Sequence, residues 1–165
     1  MHPPKIIFQK VSKSYGTKQV LSGLDLHFLD GHAYSLCAPS GAGKTTVLRL
    51  LLGLEKPDFG SVLKDPGFFR ASVVFQENRL LEDCNALQNI RFVAGNRLTD
   101  PELTLKLSEL LPKDSLTCPV RQFSGGMKRR LAILRALLIP ADFYIMDEPF
   151  AGLDNACKAD AMRLI

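Results

Sequence analysis

No stretch of about 18 consecutive apolar residues occurs in the chain, so no membrane-crossing helix is expected. The most apolar run, residues 131–141, is broken by Arg135 and Pro140. The opening residues, Met1-His2-Pro3-Pro4-Lys5, lack the apolar core of a signal peptide, so a secretory route is not expected either. The four cysteines, Cys37, Cys84, Cys118 and Cys157, are far apart, which leaves no CxxC metal or redox pair and suggests reduced thiols. A long basic run is also missing, and the net charge of +4 is mild, so nucleic-acid binding is not expected. The one tight basic cluster, Lys128-Arg129-Arg130, reads as a solvated helix face. All three histidines, His2, His27 and His32, sit in the N-terminal third, away from any motif, and none follows Glu148. There is no internal repeat, low-complexity segment, long charged insertion or heptad pattern. What is present is an ordinary globular composition, 46% hydrophobic and 23% charged over 165 residues. That length can bury a sizeable core and is read as a single domain.

Local patterns give an alternation of strands and helices. Residues 5–11 and 24–29 alternate apolar and polar and are predicted strands, with turns at Gly16 and Gly23. Residues 33–37 are predicted as a short buried strand after an Asp30-Gly31 turn. A helix is predicted over 44–53, stopped by Gly53 with Pro57 beyond. Further strands are expected at 61–64, 71–75 and 143–147. Helices are expected at 86–94 and 101–111, the latter with Asp100 as N-cap and Pro101 in the first turn. Ser124 is predicted to cap a helix with Leu131, Leu134, Leu137 and Leu138 on its apolar face, ending before Pro140. The tail from Asn155 reads as a helix start. Such alternation predicts an α/β fold with a mainly parallel sheet, and the strand-free stretch 78–122 reads as a small helical insertion.

Three segments carry chemistry. In Ala38-Pro39-Ser40-Gly41-Ala42-Gly43-Lys44-Thr45-Thr46, glycines let the backbone curl so that several N–H groups face one anion. The helix opening at Lys44 adds the partial positive charge of its N-terminus. Lys44 can reach the outer phosphates of a nucleotide, Thr45 can ligate Mg²⁺, and Thr46 offers a hydroxyl to an inner phosphate. This loop pattern normally begins with glycine; Ala38 stands there, so that corner must work without positive φ. The second segment, Phe143-Tyr144-Ile145-Met146-Asp147-Glu148, is an apolar strand ending in two carboxylates. Asp147 is placed to hold Mg²⁺ directly or through water, and Glu148 is the candidate general base. Neighbouring strand residues alternate faces, so the two need not share a role. The third segment, Ser124-Gly125-Gly126, opens a helix and is a second anion site by the same dipole argument.

Together and in this order, these motifs resemble the ATP-binding cassette (ABC) ATPases, and the resemblance covers nearly the whole chain. It implies a P-loop NTPase core of ABC type with an N-terminal antiparallel β part, ATP and Mg²⁺ as cofactors, and one domain with a core at 1–77 and 123–165. It implies that Tyr15 stacks on adenine. It further implies that Gln76, after strand 71–75, touches Mg²⁺ and the attacking water, and that Pro149-Phe150-Ala151-Gly152-Leu153-Asp154 forms a D-loop. In the family, Ser124-Gly125-Gly126 would close over ATP held by a second ATP-binding subunit, giving a homodimer with two composite sites. Residues 76–81, and Met127 where many such proteins carry glutamine, look like the nitrate/sulfonate/taurine importer branch. That implies a cytoplasmic ATPase, peripheral to the membrane through a transmembrane permease.

The chain departs from the family after Asp154. The family continues into a further strand and a switch histidine, and neither is expected here. That strand normally inserts between the strands leading to Lys44 and to Asp147, so a gap at the sheet centre is expected unless those two pair directly or a partner fills it. Two functional expectations follow: a transporter ATPase subunit, or a nucleotide-binding module that dimerises or regulates without efficient hydrolysis. A soluble family member serving translation or DNA repair would show the charged insertions or heptads that are missing.

Overall fold

A computed structural model describes residues 4–65 and 70–162. Residues 1–3, which carry His2 and part of the segment read for a signal peptide, lie outside them. The chain divides into two compact units, Met1–Phe69 and Arg70–Ile165.

The first unit is built on a three-stranded antiparallel sheet of β1 (Pro4–Tyr15), β2 (Lys18–Leu29) and β3 (Phe59–Lys64), with β1 in the centre. Ile6 and Phe8 point inward with the expected period of two, but the next buried position is Val11, not residue 10. The extra residue is a bulge: Lys10 has φ +47, and its N–H donates to Asp25 Oδ1 at 2.8 Å. Gly23 is not the turn expected of it. It lies inside β2, opposite another irregularity of β1, where its N–H donates to Ser12 Oγ. Helix α1 (Lys44–Leu52) buries Thr46, Val47, Leu50 and Leu51. It ends as anticipated on Gly53, whose N–H donates to Leu50 O while Leu54 N–H reaches back to Arg49 O.

In the second unit, β4 (Ala71–Val74) and β5 (Phe143–Met146) pair in parallel, as the alternation implied. Helix α2 (Ala86–Ala94) begins with a reciprocal cap, Asn85 and Gln88 each accepting from the other's N–H. Helix α3 (Asp100–Ser108) is capped by Thr99 instead of Asp100, because only Thr99 has an acidic partner, Glu102, three positions on. Helix α4 (Gly125–Leu137) is capped by Ser124 as expected, and α5 (Asn155–Met162) closes the described chain. One apolar core joins Ile90, Leu103, Leu107, Val120, Leu131 and Leu134. A second joins Val74, Ile133, Ala136, Leu153 and Ala161. Each side of α4 therefore serves a different core, which fixes the helix between the α2–α3 region and the parallel strands.

The expected strand at 33–37 does not form. Residues 32–39 have no regular structure and are exposed, Tyr34 at 50% and Leu36 at 43%. A strand is stable only when a neighbour takes its N–H and C=O groups. Among the described residues no strand pairs with this segment.

Candidate functional site

The phosphate loop lies in the first unit. Gly41 (φ +78) and Gly43 (φ +93) turn its backbone through left-handed geometry, and Ala42 N–H closes a turn on Pro39 O. Gly43 is the N-cap of α1 and, having no side chain, leaves the first N–H groups of the helix without a side-chain acceptor. Asn85, Thr99 and Ser124 cap their own helices, so the start of α1 differs from those of α2, α3 and α4. Uncapped N–H groups at a helix start suit a phosphate. Lys44 bends back over the loop and donates through Nζ to Ala38 O (2.7 Å) and Pro39 O (3.1 Å). Ala38 is not among the described residues with positive φ, so the loop corner forms without the customary glycine. Ser40 and Thr45 are exposed, while Thr46 is buried at 7% exposure. Tyr15, at the end of β1, is 43% exposed; its hydroxyl donates to Glu55, and the Lys13 ammonium lies 5.7 Å from its ring centre.

The second unit brings Gln76, Asp147, Glu148 and Ser124 to one framework. Gln76 follows β4 and is exposed. Asp147 extends the parallel ladder, its N–H donating to Val74 O at 2.8 Å. Glu148 turns the chain with φ +48, a left-handed conformation unusual for a residue with a side chain. Such a conformation costs on the order of 1–3 kcal/mol and persists only where its surroundings hold it. The next turn is closed by Ala151 N–H on Glu148 O, and Asp154 caps α5 by accepting from Cys157 N–H. Gly125 has open space where a Cβ would stand, and at Gly126 a Cβ would make only ordinary contact with Leu153. Packing within the chain therefore does not require glycine at either position.

The basic cluster is not a solvated face. Arg129 is 3% exposed. Its Nε donates to Pro149 O (2.8 Å), its Nη2 to Asp147 O (3.0 Å) and Glu148 O (2.6 Å), and its Nη1 to Phe75 O and Gln76 O. Burial lowers its pKa, and the charges of Asp147 and Glu148 oppose that shift, so the guanidinium stays cationic. Lys128 pairs with Glu82, and Arg130 donates to Cys157 Sγ. Six residues beyond Arg129 along α4, Arg135 donates to Asn78 O and Arg79 O. The signal that places Arg129 is present in the sequence: residues 129, 132, 133 and 136 share one helical stripe, and Ala132, Ile133 and Ala136 are apolar and buried. Reading the cluster by its charge alone missed that stripe.

Among the described residues no group of three or more His, Cys, Asp or Glu could hold a metal ion. Mg²⁺ is a hard cation that keeps water and phosphate oxygens and needs few protein ligands. Thr45, Gln76 and Asp147 supply only oxygen donors.

Comparison with known proteins points the same way. The profile of the family described as "ABC transporter" matches residues 21–151. The chain is 39% identical over 165 residues to the aliphatic sulfonates import ATP-binding protein SsuB 3 of Rhodococcus jostii (strain RHA1), covering 99% of this chain and 60% of that protein. It is 39% identical over 167 residues to the Nod factor export ATP-binding protein I of Paraburkholderia xenovorans (strain LB400), covering 93% and 55%. It is 37% identical over 164 residues to the protein of the same name from Cupriavidus pinatubonensis (strain JMP 134 / LMG 1197), covering 91% and 50%. The chain thus spans between half and three-fifths of the length of these relatives.

Proposed function

The chain belongs to the ABC transporter family, and on that premise we propose that it is the ATP-binding and ATP-hydrolysing subunit of a transporter. The observation that carries this reading is the start of α1: left-handed Gly43, no side-chain cap, and Lys44 above the loop. In this reading Lys44 leaves the carbonyls of Ala38 and Pro39 for the outer phosphates. The loop N–H groups from Ser40 to Thr45 cradle the anion, and Thr46 serves the inner phosphate. Bound Mg²⁺ would supply charge neutralisation, with Thr45, Gln76 and Asp147 holding it directly or through water. Gln76 orients the attacking water, and Glu148 takes its proton at the carboxylate. Tyr15 offers its ring to adenine.

The same reading assigns Ser124-Gly125-Gly126 to a nucleotide held by a second copy, with Asp154 near that contact. The room for a Cβ at Gly125 and Gly126 supports this, since a close approach from outside the chain gives glycine a purpose that intrachain packing does not. The helical stretch 78–122 is proposed as a subdomain set on a core of 1–77 and 123–165. Docking on a transmembrane permease at the cytoplasmic face would bring the chain to a membrane, since no helix among the described residues is long and apolar enough to cross one. Nucleic acid is not a proposed partner. Import is the proposed direction, supported by the residues after Gln76 and by the sulfonate-import relative; the two Nod factor export relatives favour the opposite direction.

A second reading, a nucleotide-binding module without efficient turnover, is favoured by the exposed and unpaired segment 32–39 that leads into the loop. Phosphate release with Mg²⁺ and ATP separates the two. Turnover that Lys44→Ala abolishes supports the first; bound nucleotide with no turnover supports the second. Absence of Mg-ATP binding at millimolar concentration to folded protein would overturn both.

A further inference from the structure

We infer that Arg129 is a positioning residue that locks the Gln76 segment and the Glu148 turn into one rigid unit with the helix carrying Ser124-Gly125-Gly126. This rests on the proposed hydrolytic role of Gln76 and Glu148. The geometry behind it is independent of that role. A single guanidinium has five N–H donors in a planar fork. Here the fork is spread over backbone carbonyls from two separate places in the sequence. Phe75 and Gln76 leave the end of β4, and Asp147, Glu148 and Pro149 leave the end of β5. Arg129 itself stands on the second turn of α4, close behind the Ser124 cap. Three motifs that are separate in the chain therefore share one side chain, with Arg129 reaching back 54 residues to Phe75 and forward 18 to Asp147.

The contact is specific in two further ways. First, apart from one contact of its Nη1 with Asn78 Oδ1, it acts on backbone, so the side chains of Gln76, Asp147 and Glu148 remain available for water, metal and phosphate. Second, two of its hydrogen bonds fall on the carbonyls of Asp147 and Glu148, where the chain passes through the strained left-handed turn. A charge-assisted hydrogen bond contributes more than a neutral one, and a buried cation without partners is costly. Each side therefore stabilises the other: the turn satisfies the buried cation, and the cation holds the turn. Arg135 grips the same loop a little further on, at Asn78 and Arg79, while the Arg79 guanidinium stacks 3.8 Å from the centre of the Phe75 ring. A tilt of α4 would be transmitted to both the water-orienting and the proton-accepting groups at once.

Lysine keeps the charge at this position but offers one point donor in place of a fork, so it cannot span both strands. In folded Arg129→Lys, the amides of 75–78 and 147–151 are expected to exchange with deuterium about tenfold faster together, the scale of one lost charge-assisted hydrogen bond. The turnover number is expected to fall by about 10²-fold, as displacement of catalytic groups by roughly 1 Å can do. KM for ATP should stay within about twofold, because the phosphate loop is untouched. Unchanged exchange in either segment, or a raised KM with an unchanged turnover number, would overturn the inference. If the unmutated chain releases no phosphate, the hydrolytic reading fails separately, and the exchange result alone decides the clamp. If Arg129→Lys does not fold, the side-chain Nε–H of Arg129 in the unmutated chain gives the answer by NMR. Slow solvent exchange is expected for a proton held on Pro149 O, and rapid exchange would refute the contact.

Discussion

Two glycines of the phosphate loop share a backbone conformation but not a surrounding, and substituting each by alanine separates the two effects. Gly41 (φ +78) faces open space, so a Cβ there meets nothing within 4 Å. Its replacement carries only the left-handed penalty of a residue with a side chain, about 1–2 kcal/mol. Gly43 (φ +93) carries the same penalty, and its Cβ would also stand 2.8 Å from Val20 Cγ1 and 2.9 Å from Leu21 Cδ2. Both neighbours are side chains, so they can yield, but Leu21 is 7% exposed and has little room. Overpacking of this kind costs about 1–3 kcal/mol, so Gly43→Ala should lose roughly 2–5 kcal/mol in total. At about 2–4 °C per kcal/mol for a chain of this length, Gly43→Ala should melt lower than Gly41→Ala by several degrees. Urea unfolding followed by circular dichroism measures this directly, with a midpoint that falls while the slope holds. Equal loss in the two variants, or a greater loss in Gly41→Ala, would refute the steric account of why α1 starts on glycine. Nucleotide binding should fall in both, since each distorts the curl that aims N–H groups at one anion.

The remaining expectations are narrower. Glu148→Gln keeps the shape and the left-handed turn but cannot accept a proton, so phosphate release should drop by about 10²–10⁴-fold while Mg-ATP binding persists, measured by single-turnover assay and calorimetry. Turnover within a few-fold of the unmutated protein would remove Glu148 from the role of base. Asp58 accepts from the Lys13 ammonium and from Ser14 N–H, and both hold its pKa below the ordinary carboxylate value. A depressed folded-state pKa gives stability that is present above the ordinary carboxylate range and lost as pH falls through the lowered value. Acid should therefore weaken the β1–β3 sheet, and Asp58→Asn should flatten the dependence of the urea midpoint on pH below the ordinary carboxylate range. An acid slope that Asp58→Asn leaves unchanged would assign the effect to other groups.

What could be read from the sequence is what depends on near neighbours along the chain. Helix α2 was legible from end to end, and α1 and α4 to within a residue or so, because caps, apolar stripes and stop signals are local. Strands β3, β4 and β5 were legible for the same reason, whereas the last four residues of β1 and the first half of β2 were not. The cap of α3 was displaced by one residue, since Thr99 and Asp100 are both good caps and only the reciprocal bond with Glu102 decides between them. Gly23 was misplaced because a bulge and a turn ask for the same residue type. The segment 33–37 was misread for a deeper reason. Tyr34, Leu36 and Cys37 have the composition of a buried strand, yet burial and pairing belong to the neighbours and not to the segment. With no partner strand among the described residues, the same composition leaves Tyr34 edge-on to the Phe28 ring, its hydroxyl accepting from Leu29 N–H.

The phosphate loop of the first unit and the Glu148 turn of the second are maintained by opposite means, and this bears on how each would answer a ligand. In the phosphate loop the cation belongs to the site itself: Lys44 is held by two exposed carbonyls of the loop it serves. Exposed hydrogen bonds of this sort contribute little net stability, so a phosphate that offers full negative charge can displace them at small cost. At the Glu148 turn the cation is not part of the chemistry. Arg129 is buried and bound to five backbone carbonyls and the Asn78 side-chain oxygen, so separating it from them would leave a desolvated charge behind. On the proposed reading, the phosphate loop would therefore rearrange on binding, while the Glu148 turn would stay in place. A Lys44 substitution should accordingly change affinity with little effect on unfolding, whereas an Arg129 substitution should act on the turnover number and on local opening.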